Sequence, residues 1–292
     1  MTTLDGPESL TTDARPTRRR RSRRRPSGWH LFLVPVAFLF LLPFVQMFLA
    51  ALSPAKELVR YPPPFVPSRL TIDGFVQLFQ QSGILLWLGN TTVVALSAIA
   101  SHLVLCSLAG YGFARLKFRG GTFGFFAIVA TIMIPTQLLM IPTYVMFARV
   151  GLIDTLGAAI VPWLATAFGI FLMRQFFLSL PAELEEAALL DGCGPWGVFF
   201  RVVLPLAKPA LATLAIFTLL GSWNDLVWPL IAINNEQSFT LQLGLANFEG
   251  TRRTQWSLLM AGNVVATTPL ILFFLFAQRQ FVATMTFSGL KG

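Results

Sequence analysis

Six windows of the chain are almost free of charged residues, at about 29–52, 88–114, 122–148, 155–177, 207–233 and 257–279. At 1.5 Å per helical residue, each is long enough to cross ~30 Å of hydrocarbon. The pattern predicts an all-α integral membrane protein with six transmembrane helices. Pro35, Pro43, Pro135, Pro142, Pro162 and Pro269 interrupt the windows. Neighbouring helices can satisfy the carbonyls that such prolines free, and kinked spans suit a cavity-forming protein better than a simple anchor. Two long polar stretches, 53–83 and 234–256, connect spans on one side. A third, 179–205, lies on the other side between spans four and five.

Composition fits this reading. The 292 residues are 55% hydrophobic and 12% charged, with mean hydropathy +0.68. A water-soluble domain carries about 25% charged residues, so an ordinary globular protein is excluded. Net charge is +9, and eight of the 22 Lys and Arg lie between Arg15 and Arg25. Residues 1–28 read as a disordered Arg-rich cytoplasmic arm that sets topology and touches anionic headgroups, rather than a nucleic-acid binder. A cleaved signal peptide fits poorly, because the apolar part that follows has 24 residues against the usual ~7–15. With the N-terminus inside, 16 Lys and Arg fall on the cytoplasmic side and six outside. That bias places both termini of a multi-pass cell-membrane protein in the cytoplasm. Cys106 and Cys193 fall in a span and an inner loop, so no disulfide framework is expected.

The inner loop 179–205 is the most informative segment. Pro181 suits the first turn of a helix, and Glu183, Glu185 and Glu186 lie near its positive dipole end. Leu184, Ala187 and Ala188 recur at helical spacing and predict one small apolar face. Gly192 is a natural helix stop. Pro195 then opens a second helix, with Trp196, Phe199, Phe200 and Val203 expected on one face. By periodicity alone, an interfacial connector that merely covers the bundle is an equal reading.

Specific residues change that balance. Glu186-Ala187-Ala188, Gly192, Val202 and Leu204-Pro205 resemble the E-A-A-x3-G-x9-I-x-L-P signature, with Val for Ile as the one departure. The signature belongs to permease subunits of binding-protein-dependent ABC importers. Lys117-Phe118-Arg119-Gly120, Ile134-Pro135, Ile141-Pro142, Gly221-Ser222-Trp223-Asn224-Asp225, Trp228-Pro229 and Gly289-Leu290-Lys291-Gly292 are similar to the sugar-importer branch, and to its smaller maltose-type permease. The resemblance covers 29–292 and leaves the arm outside.

The resemblance implies a type I ABC importer permease fold. The loop 179–205 would be a cytoplasmic coupling element, with Glu185, Glu186, Ala187, Ala188, Asp191, Gly192, Leu204 and Pro205 as its ATPase-docking and coupling residues. It implies a second permease subunit in a heterodimer, two copies of an ATP-binding subunit, an extracytoplasmic solute-binding protein and a sugar or polyol as cargo. ATP and Mg would sit on the ATPase and no cofactor on this chain.

Little chemistry is legible in the chain itself. There is no G-x4-G-K-[ST] sequence, and His30 and His102 are far apart, so neither a nucleotide site nor a metal site is expected. His102 reads as a hydrogen-bonded packing residue. Asn90, Gln137, Asn224, Asp225 and Asn263 fall in or beside spans. Gln137, Asn224, Asp225 and Asn263 are candidates for a translocation path or gate. Asp225 is expected ~28 Å along the fifth helix, facing a cavity or a partner. For Asn224 and Asp225, gate packing, sugar contact and ion coupling remain open. Trp223, Trp228 and Trp256 read as interfacial anchors. The readings are a non-catalytic importer permease or, alternatively, an ion- or proton-coupled secondary transporter. A membrane scaffold or lipid-modifying enzyme is the third class.

Overall fold

The structure is a computed structural model that describes residues 28–250 and 254–288, without the side chains of His30 and 276–288. The Arg-rich arm read over 1–28 lies outside these residues except for Gly28, as do Arg252, Arg253 and the terminal Gly289-Leu290-Lys291-Gly292. The described residues are helical apart from turns, loops and one isolated antiparallel bridge between Glu249 and Thr254.

The chain divides into two units at Phe44. The first is described from the start of helix α1 (Trp29–Ala51), whose side chains in that part are largely exposed and apolar all round. Such a helix is stable only with hydrocarbon or another helix around it.

The second unit holds α2 (Asp73–Gln81), α3 (Ile84–Arg115), α4 (Gly121–Ala130), α5 (Thr136–Arg149), α6 (Leu156–Ile160) and α7 (Ala167–Ser179). It continues with α8 (Glu183–Leu190), α9 (Pro195–Leu206), α10 (Lys208–Trp223), α11 (Val227–Ala232), α12 (Leu241–Ala246) and α13 (Trp256–Ser288). Among the described residues, four helical stretches are long and apolar enough to cross a membrane, and six when two bent pairs each count as one span.

Several span boundaries differ from the sequence reading, and proline explains most of the differences. The window 122–148 is two helices meeting at 104°. Pro135 drives Ile134 out of the helical region (φ −84°, ψ 118°) and so ends the first piece. The window 155–177 is interrupted after Pro162-Trp163 before α7 begins. The second span starts at Ile84 rather than 88. The fifth is not continuous over 207–233: α9 and α10 meet at 74°, and α10 stops at Trp223. Pro229 lacks an N–H, and its ring would clash with the Asp225 carbonyl in an unbroken helix, so the chain restarts as α11. Asp225 therefore sits in a break and not along a straight helix.

Two apolar cores hold the second unit. One gathers Trp87, Trp223, Trp228, Phe239 and Leu241 where α3, α10, α11 and α12 meet. Trp223 and Trp228 are buried, not interfacial, and their indole N–H groups donate to the Ala266 and Ala158 carbonyls at 3.1 and 2.9 Å. Only Trp256, 43% exposed, keeps the surface position read for all three. Asn90 in α3 is structural here, its amide donating to the Gln237 and Phe239 carbonyls at 2.9 Å each. In the stretch 53–83, the Ser68 hydroxyl and N–H hold the Glu57 carboxyl below the usual carboxylate range.

The other core joins Met173, Phe177, Ala188, Phe199, Val203 and Leu214. It fastens α8 and α9 to α3, α7 and α10. Close approach of α3 and α7 rests on Gly110, where a Cβ would lie 2.7 Å from Met173 Cβ and 2.9 Å from the Arg174 nitrogen. Small residues let transmembrane helices pack this closely. Gly110→Leu should therefore reduce the folded protein recovered in detergent and lower its Tm, consistent with overpacking costs of about 1–3 kcal/mol. Gly89→Leu, whose Cβ meets nothing within 4 Å, should leave both unchanged.

Candidate functional site

Helix α8 is short, and its two ends are defined by different chemistry. Glu183, Glu185 and Glu186 occupy its first turn, the favourable end for negative charge. At the other end Gly192 takes φ +84°. Its N–H donates to the Leu189 carbonyl at 3.1 Å, and that of Cys193 to Ala188 at 3.0 Å. This pair of bonds is a Schellman motif, which needs a left-handed residue at the position Gly192 fills. Nothing lies within 4 Å of a Cβ built there, so backbone conformation rather than space selects glycine. Pro195 then occupies the first turn of α9, which widens to a π-helical stretch over Val198–Val203 just before Pro205. A π turn next to a proline accommodates its missing N–H.

The faces of this hairpin differ from those read in the sequence. Ala188 is buried but Ala187 and Leu184 are exposed, so the apolar set expected on one face of α8 is split. The inward face is made by Glu185 and Ala188, three residues apart. On α9, Phe199 and Val203 are buried, while Trp196 and Phe200 turn outward and stack with ring centroids 6.1 Å apart. The outward surface thus carries Glu183, Glu186, Asp191, Leu190 at 89% exposure and Trp196 at 68%. Pro205 is exposed and Leu204 half-buried against the core.

Glu185 does not belong to that outward surface. Its carboxylate accepts a hydrogen bond from the Tyr111 hydroxyl at 2.9 Å and pairs with Arg115 Nε at 2.7 Å. Arg115 Nη2 also donates to the Leu180 carbonyl at 2.7 Å, just before α8. The Tyr111 ring is packed against Phe177 and Phe199. The last turn of α3 therefore grips both the entry to α8 and its inner face. Tyr111 and Arg115, four residues apart at the end of a charge-free window, were not singled out in the sequence. Their i, i+4 spacing facing an acidic helix start is the signal that would have found them.

A second site is a cavity of about 450 Å³ between α5, the Pro162-Trp163 break and the α10–α11 break. It brings Gln137 and Asp225 together with Trp163, Thr166 and Gly221. Asn224 and Asn263 are not in its lining. Asn224 instead bonds back to the Leu220 carbonyl at 2.8 Å, and its other side faces Gln242. Asp225 Oδ2 accepts from Trp163 Nε1 at 3.1 Å. Gly221 makes room for that indole: a Cβ there would come within 2.5 and 2.8 Å of the Trp163 ring. Trp163 carried no sequence signal beyond a Trp after a proline, and Gly221 was legible only as the first residue of the Gly221–Asp225 motif, with no role attached.

Beside the cavity, Thr166 joins a chain of hydrogen bonds. The Gly169 N–H donates to Thr166 Oγ1 at 3.1 Å, which lies 3.2 Å from His102 Nε2, and His102 Nδ1 lies 2.9 Å from the Ala98 carbonyl. A carbonyl only accepts, so Nδ1 carries the proton and Nε2 accepts from the threonine. Both ring nitrogens are thereby satisfied. Among the described residues no group of three His, Cys, Asp or Glu is placed to hold a metal.

A family model described as "Binding-protein-dependent transport system inner membrane component" matches residues 103–287. The arabinooligosaccharides transport system permease protein AraQ of Halalkalibacterium halodurans is 35% identical, covering 88% of this chain and 93% of that protein. The lactose transport system permease protein LacG of Rhizobium radiobacter is 31% identical, covering 85% and 90%. In fold, the chain matches a solved bacterial ABC transporter involved in the import of the acidic polysaccharide alginate, with TM-score 0.75 and 22% identity over 86% of this chain and 94% of the other.

Proposed function

This chain belongs to the family of inner membrane components of binding-protein-dependent transport systems, and on that premise we propose that it passes a sugar or related polyol inward as one permease subunit of an ATP-driven importer. The hairpin of α8 and α9 is its coupling element. The observation that carries this reading is the division of labour in the hairpin. Glu186, Leu190, Asp191 and Trp196 form an outward tip, while Glu185 and Ala188 fasten its root to α3 and the inner core. A lever needs a free contact surface at one end and a stiff attachment at the other. The partners are a second permease, two ATPase copies that bind ATP and Mg, and an extracytoplasmic binding protein. This chain performs no catalysis.

The same end of the second unit supports a reading of the orientation. Arg115, Lys117, Arg119, Arg174 and Arg201 all lie at or near the coupling hairpin, which supports a cytoplasmic placement of it and of both termini. The α5–α10 cavity is the candidate cargo path. An indole, a carboxylate, threonines and Gln137 are the groups that bind sugar rings and hydroxyls. Gly221→Ala should push Trp163 out of register with Asp225 and lower uptake several-fold, with membrane levels and ATPase assembly unchanged; normal uptake would remove the cavity from the path.

Reconstitution tests the function as a whole. Proteoliposomes holding this chain, its partner permease, the ATPase and the loaded binding protein should accumulate labelled oligosaccharide only with ATP. Uptake by this chain alone under a proton or sodium gradient would instead establish a secondary transporter.

A further inference from the structure

The short connection between α3 and α4 builds a pocket that shares no lining residue with the α5–α10 cavity. Lys117, Arg119 and Arg174 line a cavity of about 470 Å³ together with the first turn of α4, and no carboxylate lines it. Arg174 is held in place there: its Nε donates to the Phe113 carbonyl at 3.1 Å, and its guanidinium lies 3.9 Å over the Phe125 ring. Neither contact neutralises its charge. Among the described residues the one ion pair is that of Arg115 with Glu185, so Lys117, Arg119 and Arg174 stay uncompensated. Gly120, at φ +82°, turns the chain into α4, and no side chain caps that helix start. The Gly121 N–H donates to the Phe118 carbonyl at 3.2 Å, and the remaining first-turn N–H groups of α4 add to the positive potential.

The surroundings say what kind of anion fits. Leu116, Phe118 and Phe123 stand exposed beside the cations, Phe123 by 80%. Water leaves such a cluster of apolar side chains unsatisfied, and so does a free inorganic anion. A lipid satisfies both halves, its phosphate meeting the cations and its acyl chains the aromatic and aliphatic side chains. The position at the junction of two membrane-crossing helices sets the pocket at headgroup depth.

We propose that this pocket binds the headgroup phosphate of an anionic phospholipid. The proposal rests on the chain spanning a membrane and not on the coupling or cargo assignments, so it survives or fails separately from them. Bound there, the lipid would brace the α3 end that carries Arg115 and Tyr111, next to the root of α8.

The test uses the full chain in phosphatidylcholine nanodiscs doped with phosphatidylglycerol bearing a photoreactive group close to its headgroup. Cross-linked peptides are mapped by mass spectrometry, with labelling elsewhere on the chain as the internal reference. Labelling should concentrate on 116–123 and fall roughly tenfold or more in the Lys117→Gln/Arg119→Gln double variant, whose two changes are at exposed positions. The charge-preserving Lys117→Arg/Arg119→Lys variant should keep it. Equal labelling in the Gln variant, or by the matching phosphatidylcholine probe, would overturn the proposal. Loss of wild-type labelling on adding inorganic phosphate at matched ionic strength would assign the pocket to a soluble anion and overturn it equally.

Discussion

Gly192→Val should lower ATP-driven uptake at least about tenfold in the assembled transporter, while the chain inserts and accumulates in the membrane as the wild type does. The left-handed backbone at Gly192 costs an ordinary L-residue roughly 1–2 kcal/mol, and a β-branched side chain makes it a true outlier. The open space around the position removes steric contact as the cause. What fails is the Schellman closure that fixes the angle between α8 and α9, and with it the presentation of Glu186, Leu190 and Asp191. Gly192→Asn, which tolerates this backbone region, should retain most of the uptake. ATPase co-purification separates the two outcomes: Val should weaken it and Asn should not. Full uptake with Val would mean that the turn is not under load.

The second large effect is expected at the root of the hairpin. Arg115→Met and Glu185→Leu each remove one partner of a largely buried charge pair, leaving the other charge unmatched. Losing a hydrogen bond to a charged group costs about 1–3 kcal/mol. The outward tip is untouched, so the ATPase should still dock and hydrolyse ATP. Sugar accumulated per ATP should drop several-fold, because the lever slips against α3. The double variant should be no worse than either single one, since replacing both charges by apolar groups leaves neither charge unmatched, and only the neutral Tyr111 hydroxyl and Leu180 carbonyl lose a partner. A strictly additive loss, or unaltered sugar per ATP in the single variants, would show that the pair is not part of the transmission.

These two residues also show where the sequence stopped being readable. Periodicity and charge-free length located the helices because hydrocarbon imposes a simple demand, about twenty apolar residues per crossing. The breaks within them depended on which carbonyl each proline would meet and what relieved it. Pro135 ends a helix, whereas Pro142 and Pro269 lie inside helices without stopping them. That difference is tertiary. The hairpin's outward acidic residues and its glycine turn were visible as local spacing. The inward role of Glu185 was not, because it adjoins Glu186 in sequence and only the end of α3 distinguishes them. Trp223 and Trp228 were misread as interfacial for the same reason: their carbonyl partners, Ala266 and Ala158, lie 43 and 70 residues away. The cavity gathered only two of the four polar candidates, since the helix break at Asn224-Asp225 turns Asp225 toward Trp163 and leaves Asn224 bonded within α10.

Force transmission through the α8–Gly192–α9 hairpin is the claim on which the rest depends, and Cys193 offers a direct probe. It adjoins the turn and is half-buried, whereas Cys106 is fully buried. A cysteine placed in the ATPase surface that receives the hairpin should form a disulfide with Cys193 in assembled, transport-competent complexes. That bond should stop uptake, and reductant should restore it. Complexes that transport at the full rate while no ATPase position ever cross-links to Cys193 would contradict the claim.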